Sequence, residues 1–179
     1  MFRTYRILII LGLLVFAVIA GNALLKKTPP EPGRYYNEEH DFSIKFPEGW
    51  EITTEYGGKS ILATCPDHDE SNNFSKVVQV VIQDLPYKPK LDFFFDVLLS
   101  EYRRDINTRV KEKGDVVIDG TKAKWVAIYM FKESYKAQTL MNCMVKGKKG
   151  YLVQCVAEPH NFSEHKSIFD MAVQSFRYE

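Results

Sequence analysis

Apolar and polar residues change their spacing several times along this chain, and each change marks a different kind of element. Residues 7–25 are uncharged, with Asn22 the one clearly polar side chain, and are bracketed by Arg3 and Arg6 before and by Lys26 and Lys27 after. A run that is apolar all round carries no polar stripe at the helical period, which distinguishes it from a helix half-buried on a globular core. At about 1.5 Å per residue it nearly crosses a bilayer's hydrocarbon layer, where a helix satisfies its own peptide groups. The expectation is a single transmembrane signal anchor over residues 1–27. Val18-Ile19-Ala20 ahead of Gly21 also fits a signal peptide cleaved near Ala20, which would release the protein as a secreted form. Against cleavage, the apolar character continues through Ala23, Leu24 and Leu25.

A proline-rich stretch, residues 28–34, reads as a semi-rigid spacer, and a single globular domain is expected over residues 35–179. Within it, residues 42–46 alternate Phe42, Ile44 and Phe46 with Ser43 and Lys45, the pattern of a strand with one wet face. Pro47-Glu48-Gly49 turns into a strand over 50–56, and Gly57-Gly58 closes a hairpin into 60–65. Residues 76–84 are rich in valine and isoleucine, as a central strand covered on both faces requires. The period then becomes helical over 91–106, with Leu91, Phe94, Phe95, Leu98, Tyr102 and Ile106 on one stripe. Asp92 and Asp96 early and Arg103 and Arg104 late suit its dipole. Strands over 110–118, 121–131, 136–146 and 151–158 follow, linked by short turns and hence antiparallel. Ser163 is placed to cap a last helix that turns Ile168, Phe169, Ala172, Val173 and Phe176 inward. The class is therefore α+β, an antiparallel sheet with two helices behind one N-terminal membrane helix.

Charge narrows the partners. Residues 28–179 hold 20 basic and 23 acidic residues, an acidic balance that offers no general nucleic-acid surface. Membrane contact is expected through residues 7–25, and the body is expected to face another envelope protein. Three lysines in the 146–150 turn, Lys146, Lys148 and Lys149, are candidates for touching acidic lipid or an acidic partner.

Chemistry is sparse. The chain has no G-x-S-x-G, no C-x-x-C and no phosphate loop. Asp67, Asp69 and Glu70 are weak candidates for holding a hard cation, because Asn72 and Val78 stand where a calcium loop needs glycine and a bidentate glutamate. His160 and His165 are five apart, not the i, i+4 of one helix face, and His40 reads as a turn residue. A three-residue turn with Gly150 left-handed would pair Cys143 with Cys155 on one apolar face and allow a disulfide, or two buried reduced thiols. Cys65 is then the odd thiol.

The order and spacing of Phe42-x-Ile44-x-Phe46-Pro47-x-Gly49-Trp50, Val78-x-Val80-x-Ile82-x-Asp84-Leu85-Pro86, Gly120-x-x-Ala123, Gly150-Tyr151 and Ser175-Phe176 resembles the PsbP-like family in its bacterial versions. The resemblance covers about residues 35–179 and implies an antiparallel sheet sandwiched between helices. It implies binding or assembly, since its members are mainly non-catalytic. No lipidated cysteine follows the apolar run, so a spanning helix would replace the lipid anchor of the family's envelope lipoproteins. Pro47, Gly49 and Trp50 are read as fold determinants. The expectation is thus a non-enzymatic module without cofactor, on the periplasmic side of the cytoplasmic membrane. The alternatives are an enzyme or thiol-redox protein using Cys143 and Cys155, and a small-ligand or metal-binding domain.

Overall fold

A computed structural model describes residues 31–66, 75–132 and 135–179. The expected anchor, most of the spacer, and Asp67, Asp69 and Glu70 lie outside the described residues. Among those described, no helix is long and apolar enough to cross a membrane.

The elements run β1 (Arg34–Asn37), β2 (Phe42–Lys45), β3 (Glu51–Glu55), β4 (Ser60–Thr64), β5 (Val77–Asp84), α1 (Leu91–Arg104), β6 (Thr108–Ile118), β7 (Thr121–Lys132), β8 (Tyr135–Lys146), β9 (Lys149–Ala157), α2 (Lys166–Gln174) and β10 (Arg177–Tyr178). Seven strands form one antiparallel sheet in the order β3-β4-β5-β9-β8-β7-β6, and β1-β2-β10 form a second, small one. Valine-rich β5 is central, as its two-sided apolar pattern requires, between β4 and β9. Asp119 and Gly120 both take positive φ, 50° and 67°, and join Ile118 to Thr121 in a two-residue hairpin.

The pairing gives the large sheet two ends. Thr108, Lys132, Ala157, Val77, Thr64 and Glu51 lie at the upper one, and the β6–β7 and β8–β9 turns lie at the lower. β2 leaves Asp41, which binds Lys149 at the lower end, and rises to Lys45. Antiparallel β1 therefore descends from Arg34, which follows a turn closed by Arg34 N donating to the Glu31 carbonyl at 3.1 Å.

Each face of the large sheet has its own core. On one, α1 presses Phe94, Phe95, Leu98, Leu99 and Tyr102 onto Val126, Ile128, Met141, Cys143 and Leu152. On the other, Phe42 and Ile44 of the small sheet, Phe46 just after it, and Phe169, Ala172 and Val173 of α2 cover Val78, Val80, Tyr151, Val153 and Cys155. Phe42 stacks on Phe176 at 5.5 Å, and Trp50 meets Phe169 edge-on at 6.5 Å.

The structure departs from the sequence reading at the edges of elements. α1 ends at Arg104, so Ile106, placed on its inner stripe by period, is 95% exposed in the following turn. Helical spacing cannot report where a helix stops. His165, not Ser163, occupies the N-cap of α2, with no side-chain cap bond. β1 and β10 are too short to show a period. Arg34, read as spacer, is the first residue of β1 and is 2% exposed. Its guanidinium donates to Glu31 Oε2 at 2.7 Å, Ser43 Oγ at 3.1 Å and the Ser175 carbonyl at 2.8 Å.

Candidate functional site

Cys143 and Cys155 do not pair. The turn holds two residues, so Lys146 opposes Lys149, Cys143 opposes Leu152 and Leu140 opposes Cys155. Gly147 carries the positive φ, 62°, at the first turn position, as a type II′ hairpin needs. Gly150 is a glycine for another reason: a Cβ there would sit 2.4 Å from Phe94 Cζ of α1. One residue of slip reverses every side chain. Met141, Cys143 and Val145 thus face α1, while Val153, Cys155 and Ala157 face α2. The reading failed because both faces are apolar, so the pattern could not choose between registers. All three cysteines are free and buried. Burial pushes the Cys143 and Cys155 thiols far up, so both stay protonated near neutrality.

The lysines of this turn brace the fold. Lys149 donates to Asp41 Oδ2 at 3.1 Å and to the Glu39 carbonyl at 3.2 Å. Lys146 Nζ lies 4.7 Å from the centre of the Tyr178 ring. Lys148 contributes its carbonyl, which accepts from Leu85 N at 2.7 Å. The histidines stand apart: His165 Nδ1 lies 3.0 Å from the Asn161 carbonyl, and His160 Nε2 is 3.6 Å from Glu158. His40 acts through its backbone, bonding Asn37 Oδ1 at 3.0 Å and accepting from the Tyr151 hydroxyl at 2.8 Å.

A shallow cleft of about 230 Å³ lies between α1 and the β6–β7 edge, lined by Asp92, Phe95, Asp96, Lys113, Asp115 and Lys124. Lys124 Nζ closes it, bonding Asp115 at 2.8 Å and Asp92 at 2.9 Å. These bonds hold the Lys124 ammonium well above its usual range and, through Lys124, lower the Asp92 carboxyl. The triad is internally satisfied, and the cleft is smaller than usual ligand pockets.

The feature missed in the sequence is an open strip on the opposite face of the large sheet. α2 and the small sheet cover the lower ends of β6 and β7, leaving their upper ends exposed. There β7 places Trp125, Ala127, Tyr129 and Phe131 on this face at the two-residue period, Phe131 exposed, Trp125 and Tyr129 half-buried and Ala127 buried. Trp125 lies across Gly114 of β6, where a Cβ would come within 2.7 Å of its Nε1. Tyr129 and Phe131 are stacked at 6.1 Å. Arg109 lies 5.7 Å from the Phe131 centroid and Lys111 lies 5.3 Å from that of Tyr129, both within cation–π range. Lys136 opposes Phe131 from β8. Among the described residues, Arg109, Lys111 and Lys136 make no ion pair.

No family model matches the sequence, and no curated protein matches it. Solved structures do. A cyanobacterial PsbP from Synechocystis superposes with a TM-score of 0.61 at 14% identity, covering 82% of this chain and 91% of that one. The chain has the PsbP-like fold. LpqN of Mycobacterium tuberculosis, described as involved in cell envelope biogenesis, gives 0.60 at 10% identity over 82% of this chain and 85% of its own. A Pseudomonas aeruginosa protein of unknown function gives 0.59 at 10% identity, over 79% and 93%. At such identities the likeness is one of architecture, and fold leaves function open.

Proposed function

We propose that this PsbP-like chain is a membrane-tethered, extracytoplasmic binding or assembly module without chemistry of its own, held in the cytoplasmic membrane by residues 7–25. The observation that carries the reading is the uncharged, lysine-stopped run at 7–25 joined to a PsbP-like body. The likeness to an envelope-biogenesis protein supports it. So does the placement of Cys143 and Cys155 on opposite faces of the sheet, both buried, unlike the exposed, electropositive setting of reactive thiols.

The test is a fusion of the C-terminus to a reporter active only in an oxidising compartment, together with carbonate extraction of membranes. Reporter activity with a carbonate-resistant full-length chain is expected. A chain that washes off with a mature N-terminus at Gly21 would replace the anchor with cleavage after Ala20, and an inactive reporter would reverse the topology.

A further inference from the structure

The α1–β6 turn and the upper ends of β6, β7 and β8 converge on one tip. Phe131 N donates to the Asn107 carbonyl at 2.8 Å, which sets Ile106, 95% exposed, beside Phe131, 39% exposed. Basic side chains occur on both sides of the sheet at this tip: Arg103 at the end of α1 on one face, and Arg109 and Lys111 of β6 with Lys136 of β8 on the face that carries Phe131. None of the four makes an ion pair among the described residues, whereas neighbouring Arg104 is engaged by Glu101 at 2.8 Å. Asp105 and Glu112 share the tip, and Asp105 accepts from Asn107 N at 2.9 Å. Residues 101–112 and 129–138 together hold six basic and four acidic residues, in a body that is otherwise acidic.

We infer that this tip, with Ile106 and Phe131 at its apex and Arg103, Arg109, Lys111 and Lys136 around them, docks on the anionic headgroups of the membrane that tethers the chain. The inference rests on the tethered reading. Two apolar side chains bury far less than the roughly 800 Å² per partner of a stable protein interface. Shallow insertion of an apolar apex beneath a cationic collar needs no such area. A tether also supplies headgroups at high effective concentration, so weak contacts suffice. The linker is short: residues 31–34 form a turn closed by Arg34 N donating to the Glu31 carbonyl at 3.1 Å. That leaves residues 28–30 of the spacer, about 10 Å when extended, to hold the domain close to the membrane surface. The cleft beside Lys124 lies on the other face of the sheet and is no part of this tip.

The test is hydrogen–deuterium exchange of the full chain in nanodiscs of phosphatidylcholine alone or mixed with phosphatidylglycerol. Several-fold slower exchange of residues 103–111 and 129–137 in the mixed discs is expected, weakening as salt rises. Arg109→Glu with Lys136→Glu should return exchange to the phosphatidylcholine level with the thermal transition unchanged. Equal exchange in both discs overturns the inference and leaves the tether standing. Protection by soluble polyglutamate without protection by phosphatidylglycerol also overturns it, in favour of an acidic protein. If the chain fails to incorporate into discs, the tether fails instead. Exchange with added phosphatidylglycerol vesicles then decides the tip alone: protection sustains it and none overturns it.

Discussion

At the lower end of the large sheet Lys59 reaches Asp84 at 2.6 Å, Lys149 reaches Asp41 at 3.1 Å and Lys146 covers Tyr178. At the upper end Arg109 and Lys111 lie over Phe131 and Tyr129 with no carboxylate partner among the described residues. The two ends are built from the same strands and similar side chains. Their difference separates charge that closes a fold from charge left for something outside it. Below, Lys59 ties the β3–β4 turn to the end of β5, Lys149 ties the large sheet to the loop leading into β2, and Lys146 covers a ring of β10. Above, the contacts of Arg109 and Lys111 are with rings and the Tyr129 hydroxyl of the neighbouring strand, and no carboxylate among the described residues neutralises them. Apolar residues divide the same way, since Gly150 below has no room for a methyl group while Ile106 above touches almost nothing.

The sharpest way to break this comparison is to place the same charge on two residues that the helical period treats alike. Leu98 and Ile106 share a stripe by spacing, yet Leu98 is 2% exposed under α1 and Ile106 is 95% exposed. An unpaired carboxylate at Leu98 costs several kcal/mol, comparable to a domain's whole stability. Leu98→Asp is expected to abolish the cooperative thermal transition, and Ile106→Asp to leave it within about 0.5 kcal/mol of the parent. Equal losses would mean that the tip is core.

Gly150→Ala probes the lower end at a smaller scale. The new methyl would meet the Phe94 ring below contact distance, and overpacking of that kind costs about 1–3 kcal/mol. Denaturant unfolding should show that loss, and Phe94→Leu should recover part of it by making room. If Gly150→Ala is neutral, α1 does not press on the β8–β9 hairpin as described.

How far these features were legible in the sequence follows from the same contrast. Elements with one clear period announced themselves: the β5 valines and the α1 stripe as far as Tyr102 sit where the pattern places them, as does the Asp119-Gly120 turn. Where both faces are apolar, as in β8 and β9, alternation no longer selects a register. Gly150 was then read as a turn residue, because nothing in the sequence reports that Phe94, more than fifty positions earlier, comes to rest against it. Arg34 was lost for a related reason: a buried arginine is recognisable only by its partners, and two of them, Ser43 and Ser175, are distant in sequence. The open strip was hidden because Trp125, Tyr129 and Phe131 read as core in any strand, and exposure is a property of what α2 fails to cover.

The smallest expected effect lies in the surface charges themselves. The Lys59 ammonium, by hydrogen bonding to Asp84, holds that carboxyl below its ordinary value of 3.8. The folded carboxyl therefore holds its proton less tightly than the unfolded one. Its contribution to stability is present above pH 3.8 and is lost as pH falls below it. Because both side chains are about half exposed, the pair is worth no more than about 1 kcal/mol. Asp84→Asn should lower stability by up to that amount at pH 7 and converge on the parent below the carboxylate range. Arg109→Gln at the upper end, where no carboxylate partner lies among the described residues, should change stability by no more than its ring contact is worth and by the same amount at every pH. Urea titrations across pH would measure both. A pH-dependent loss in Arg109→Gln would show that the upper cations belong to the fold after all, and the contrast between the two ends would fail.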